Sequence, residues 1–269
     1  MIKTILLDAG EDSAFETRFQ AALELADRFK AHLVCLEVVP VDILFSGDPL
    51  DGNVLPSSPE RIRARSLSHR RDVEDRLRRE GVSFEWIHEE KLQAEAFADR
   101  SALADLVVLS GPDGHHVGDR HMTLASSLAV TGGPLSLCIP FAAKPSKWNG
   151  PALVAWDCSI EAAHVLRKAL PLLKEAAGVE LVTVGDERSS RQASEARLYL
   201  ERHGISSKFH LCHPADGDVA DAILAAASAL NAKFIVMGAF GHSRFVEAVL
   251  GGVTRAMMTK SPLPLLLGR

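Results

Sequence analysis

Residues 238–255 read GAFGHSRFVEAVLGGVTR, and the reading of their glycines decides the fold. Gly238 and Gly241 are two residues apart, and nine residues separate Gly241 from Gly251-Gly252. Glycine loses the most conformational freedom on folding, so it is kept where φ is positive or where something must approach the main chain. The preceding Phe234-Ile235-Val236-Met237 is a short apolar run, as expected of a buried parallel strand. Beyond the loop, Val253, Ala256 and Met257 are spaced for one helix face, and Pro262 lies past a plausible stop. Strand, glycine loop and helix start make a candidate phosphate site, because free N–H groups and the helix dipole both favour an anion. The same spacing also suits a tight turn with close helix packing, and the two readings stand even on spacing alone.

Working outward, the chain repeats itself. KTILLDAG near the N-terminus is followed by a helical segment with Phe15, Phe19, Ala22, Leu23 and Ala26 on one face, then by the strand HLVCLEVV. After residue 150, ALVAWDCS is followed by Ala162, Val165, Leu166, Ala169, Leu170 and Leu173 at helical spacing, then by VELVTVGD. Pro171 should bend or shorten that helix. ADLVVLSG (Ala104–Gly111) answers AKFIVMGA (Ala232–Ala239), and TGGPLSLCIP (Thr131–Pro140) answers TKSPLPLLLG (Thr259–Gly268). Strands alternating with helices argue a parallel sheet covered on both faces in each half. FAAKPSKWNG (Phe141–Gly150) is polar with Pro and Gly and reads as a linker, giving repeats over 1–145 and 146–269. The final strands, Leu135–Pro140 and Leu263–Gly268, are apolar edges, and packing them together into an intramolecular pseudo-dimer would cover both.

The whole-chain properties set bounds. The 269 residues are 47% hydrophobic and 24% charged, ordinary for a globular chain, and a net charge of −5 gives no pull toward nucleic acid or an anionic membrane. No apolar run approaches the ~20 residues of a membrane span, and the N-terminus does not read as a secretion signal. Cys35, Cys138, Cys158 and Cys212 are scattered without a CxxC, three of them in strand-like segments, as small buried thiols would be. A cytoplasmic protein is expected. Residues 61–80 hold eight arginines, interspersed with Asp72, Glu74, Asp75 and Glu80 and without an aromatic for base stacking, so a solvated helix face is expected there.

Two such repeats, the second closing on Gly238-x2-Gly241-x9-Gly251, resemble the universal stress protein family in its tandem form. The family motif continues with Ser or Thr, where this chain has Gly252, with Thr254 the nearest hydroxyl. The resemblance implies two Rossmann-like α/β domains of the adenine-nucleotide-α-hydrolase type, each a five-stranded parallel sheet with helices on both faces. It implies an adenine nucleotide (ATP, ADP or AMP, with or without Mg) at the strands' carboxyl ends. Adenine would sit near Asp157 and Val184, and phosphates against the loop Gly238–Gly241 and the backbone of Gly251, Gly252, Val253 and Thr254. His242, Ser243 and Arg244 lie in that loop. Asp157 is also a candidate helix cap. The family's common mode of dimerisation supports the pseudo-dimer, and a homodimer is compatible with it. In the first repeat, a shift of 128 residues puts Asp113 in the place of Gly241, and Thr123 and Leu124 in those of Gly251 and Gly252. A leucine there would project a side chain where backbone must touch ligand, so one nucleotide site per chain is expected.

Other constellations are weaker. His115, His116 and His121 cluster after the fourth strand, and His210, Cys212 and His213 near the eighth, neither with a zinc-ligand spacing. GxSxG, HExxH and GxxxxGK[ST] are missing from the sequence, so no catalytic residue and no metal ligand is assigned. The leading expectation is a stress-response protein with a regulatory or structural nucleotide and at most weak ATPase activity. A nucleotide-free interaction scaffold and a hydrolase with an unlocated site are the alternatives.

Overall fold

The computed structural model describes residues 1–39, 59–112, 124–125, 127–128, 133–141, 148–185, 187–213, 218–239 and 252–269. The first half runs β1 (Thr4–Asp8), α1 (Phe15–Phe29), β2 (His32–Val39), α2 (Pro59–Glu80), β3 (Phe84–Glu90), α3 (Gln93–Ser101), β4 (Leu106–Ser110) and β5 (Leu135–Ile139). The second runs β6 (Ala152–Ala155), α4 (Ile160–Glu175), β7 (Val179–Val184), α5 (Glu187–Arg202), β8 (Ser207–Cys212), α6 (Val219–Ala229), β9 (Phe234–Gly238), α7 (Gly252–Lys260) and β10 (Leu265–Gly268). All ten strands join one sheet in the order β3-β2-β1-β4-β5-β10-β9-β6-β7-β8. Each half is parallel, and the halves meet where β5 and β10 pair antiparallel, Leu266 opposite Leu137. The two five-stranded sheets implied by the repeats are thus one sheet of ten. The reason is the apolar last strand of each half: pairing them leaves no unpaired edge at the seam.

Apolar residues alternate between the two faces of the strands, which builds two cores. Leu7, Cys35, Val108, Val154, Leu181 and Val236 face α1 and α4. Leu6, Leu36, Leu109, Leu153, Val182 and Met237 face α3, α6 and α7. Burial pushes the Cys35 and Cys138 thiols up to about 12, and all four cysteines are free. Cys35, Cys138 and Cys212 lie in strands, as expected. On α2, Arg65, Arg70, Arg76 and Arg78 are each paired with an acid, and the Arg76 guanidinium holds the Glu16 carboxyl below its ordinary value.

Two details add to the sequence reading. Of the bend or shortening expected at Pro171, shortening does not occur, and α4 continues to Glu175. Trp148, in the segment read as a polar linker, is 3% exposed and packs on Phe234 with ring centroids 5.5 Å apart. A composition-based reading misses it because one buried indole outweighs several polar neighbours in fixing the path of the chain.

The strand registers align the halves residue by residue. Ile5 lies opposite Leu106, and Ala152 opposite Phe234, so β1 matches β6 and β4 matches β9. Carried into the following helices, this register superposes their buried faces: Phe15, Arg18, Phe19, Ala22, Leu25 and Ala26 on Ala162, Val165, Leu166, Ala169, Leu172 and Leu173. One pair is unlike the rest. Arg18 is fully buried where the second half has Val165.

Candidate functional site

The site is built at the carboxyl ends of β6, β7 and β9. Thr183 Oγ1 on β7 donates to the Trp156 carbonyl at 2.9 Å, bracing the chain as it leaves β6. Asp157 Oδ1 then accepts from the Ser159 N–H at 3.0 Å and from Ser159 Oγ at 2.6 Å. Ser159 Oγ in turn accepts from the Ala162 N–H at 3.0 Å, capping α4. Asp157 therefore braces the cap, Ser159, two residues on, rather than capping α4 itself as read in the sequence. Between these residues Cys158 is held at φ 63°, in the left-handed region.

Opposite this turn stand α6 and α7. Asp218 caps α6 by accepting from the N–H groups of Ala220 and Asp221. Lys260 at the end of α7 reaches Asp218 at 3.1 Å and Asp221 at 2.8 Å, tying the two helices together. Its hydrogen bond holds the Asp218 carboxyl below its ordinary value.

A cavity of about 310 Å³ lies between these elements. Its apolar wall comes from Ala155, Val182, Val184, Val219, Ile223 and Met237, and its polar wall from Asp157, Ser159, Glu161 and the first turn of α7. Of the expected site residues, Asp157, Val184, Gly238, Gly252, Val253 and Thr254 line this one cavity. Gly241, His242, Ser243, Arg244 and Gly251 lie outside the described residues, as do His115, His116 and His121. His210 pairs with Glu180 at 2.7 Å.

The two described glycines at the site serve different ends. A Cβ on Gly238 would stand 2.6 Å from the Ala162 backbone nitrogen and 3.0 Å from the Glu161 carbonyl carbon. Close helix packing accounts for Gly238. A Cβ on Gly252 would meet nothing within 4 Å among the described residues, so packing against them does not account for that glycine. Its bareness leaves the start of α7 open on the cavity side. Glu161, Val219 and Ile223 escaped the sequence reading. Asp218 before an apolar i, i+4 pair signals the α6 start, yet no spacing shows that α6 leans on this end of the sheet.

The first half carries the same frame with different contents. By the registers, Asp8, Gly10, Ser110 and Leu124 stand where the second half has Ala155, Asp157, Gly238 and Gly252. Asp8 is 1% exposed, Ser110 0% and Leu124 1%. Arg18 Nε donates to the Asp8 carbonyl at 2.6 Å, and its Nη1 donates to Asp12 Oδ1 at 2.6 Å and Ser110 Oγ at 3.0 Å. Its Nη2 donates to the Gly10 carbonyl and lies 4.0 Å from Asp8 Oδ1. Leu124 thus belongs to the core rather than to a ligand path.

A doubly wound α/β sheet with an open crevice at its strands' carboxyl ends defines a class of small-ligand-binding proteins. Residues 209–269 match the universal stress protein family. Over 99% of the chain the fold matches a universal stress protein from Archaeoglobus fulgidus DSM 4304, at TM-score 0.74 and 17% identity, covering 98% of that chain. It also matches a functionally unknown protein from Pseudomonas aeruginosa PAO1, at TM-score 0.67 and 17% identity, covering 99% of this chain and 92% of that one. No curated protein matches the sequence. Residues 209–269 are thus similar to that family, and the whole chain shares the fold of these solved structures.

Proposed function

We propose that the protein is a tandem universal stress protein, with repeats over 1–145 and 146–269, that binds one adenine nucleotide per chain in the second repeat. The nucleotide acts as a regulatory or structural ligand. The observation that carries this reading is the division of the cavity wall. Ala155, Val182, Val184, Val219, Ile223 and Met237 form an apolar slot suited to a flat base. Asp157, at the mouth of that slot, suits the hydroxyls of a sugar. The N–H groups opening α7, with the helix dipole behind them, suit a phosphate, a dipole contribution of about 0.3–1 kcal/mol. The bare Gly252 leaves the start of α7 without a side chain between its N–H groups and the cavity. Four free cysteines accord with a reducing, cytoplasmic setting for a stress-response protein.

The first repeat supplies the test. Leu124 fills the place of Gly252, so Gly252→Leu transplants the first-half residue into the open crevice. Nothing among the described residues lies within 4 Å of the new Cβ, and stability should be unchanged to within ~0.5 kcal/mol. Calorimetry should show AMP affinity falling by at least about tenfold, the equivalent of ~1.4 kcal/mol. Unchanged AMP binding in this variant would place the nucleotide elsewhere.

A further inference from the structure

We propose that this cavity selects its ligand by charge, taking adenosine or AMP in preference to ATP, and that Glu161 sets the preference. The inference rests on the nucleotide reading above and names the ligand class within it.

Three observations carry it. First, the cavity is compact: about 310 Å³ lies at the lower end of ligand sites, which run from roughly 300 to 1,000 Å³. Second, among the described lining residues the charged side chains are Asp157 and Glu161, both acids. The α7 start offers about half a positive charge, enough to favour one phosphate group rather than a chain of three. Third, Glu161 lines the cavity together with Gly238 and the first turn of α7, so its charge faces whatever anion that turn would hold. Its side chain is 14% exposed, so water screens it poorly. Its ion pair is with Arg269 Nε at 3.6 Å, on an arginine nearly half exposed and therefore a weak neutraliser.

The fold does not require this acid. By the strand register, Ala14 occupies the corresponding position ahead of α1, whose first-turn acid is Glu16, two residues further on. An acid in a first helical turn does favour the dipole, but by only a few tenths of a kcal/mol when one such residue is neutralised at the surface. Glu161→Gln keeps the shape and removes the charge.

The experiment is calorimetry on the full chain with adenosine, AMP, ADP and ATP in metal-free buffer. Wild type should bind AMP at least about tenfold more tightly than ATP, with ADP between them. Glu161→Gln should bring AMP and ATP within about threefold of each other, mainly by strengthening ATP, and leave adenosine unchanged. ATP binding as tightly as AMP in wild type would overturn the inference and leave the nucleotide reading standing. So would an AMP-to-ATP ratio unmoved by Glu161→Gln. Failure of all four ligands to bind would overturn both.

Discussion

At the carboxyl ends of β1 and β4 the protein carries Asp8, Ser110 and Leu124; at the same places beside β6 and β9 it carries Ala155, Gly238 and Gly252. Every exchange is from larger to smaller, and the three smaller residues all line the cavity. The loop positions change in the other sense. Gly10 has no side chain to offer a ligand, whereas Asp157 places a carboxylate on the cavity wall. In the first half Arg18 rises from the α1 face and gathers Asp8, Gly10, Asp12 and Ser110 around one guanidinium. A duplicated frame can hold an internal salt-bridge network in one copy and an open site in the other, because the strands, not the crevice contents, fix the sheet.

The change that should break this comparison most severely is Arg18→Val, which gives the first half the residue of the second. It strands the buried Asp8 without its cation. Removing one partner of a buried pair costs about 3–5 kcal/mol. Urea unfolding of the full chain should show a loss of that order. Adding Asp8→Ala, again the second-half residue, should restore at least ~1 kcal/mol relative to additivity. A loss below ~1 kcal/mol for Arg18→Val would mean that the network does not hold the first half together.

Next in size is Gly238→Ala. Its Cβ would press on the backbone of Ala162 and Glu161, which cannot swing aside as a side chain can. Overpacking of this kind costs about 1–3 kcal/mol. Because α4 would have to shift at the turn that carries Ser159 and Glu161, ligand affinity should fall together with stability. Ser110→Gly, the reverse exchange in the first half, should cost less because it removes a side chain without forcing atoms together. Equal tolerance of the two changes, measured by urea midpoints, would show that the halves are packed alike after all.

Much of the frame was legible in the sequence because buried parallel strands announce themselves as apolar runs, and α1 and α4 carry apolar residues at helical spacing. Two apolar final strands that needed covering pointed to a contact between the halves, but not to its antiparallel strand pairing. Arg18 was not legible. A charged residue within an apolar helical stripe is assigned to solvent by every composition rule, and its acids arrive from a loop and a strand end. The glycines show the same limit. Gly238 and Gly252 look alike in one motif, yet a Cβ on one meets backbone at 2.6 Å and on the other meets none of the described residues within 4 Å, a distinction only their surroundings make. The α6 wall was missed because the tilt of a helix over a sheet leaves no period in its sequence.

The smallest expected effect concerns the turns entering α1 and α4. Cys158 sits at φ 63°, whereas Glu11, its counterpart by register, is not among the described non-glycine residues with positive φ. An L-residue in the left-handed region carries roughly 1–2 kcal/mol of steric cost, from which glycine is exempt. Glycine gives part of that back through the greater freedom it loses on folding. Cys158→Gly should therefore stabilise the chain, by up to about 1 kcal/mol, or roughly 2–4 °C in thermal midpoint for a protein of this size. Glu11→Gly should do the opposite, costing about 0.5–1 kcal/mol, since no strain is relieved there and the Arg65–Glu11 pair is lost. The tight turn at Cys158 is what aims Asp157 and Ser159 at the cavity, so relieving its strain should leave AMP affinity within about twofold. Should Cys158→Gly gain stability but lose AMP binding, the turn's rigidity, and not only its shape, is part of the open site.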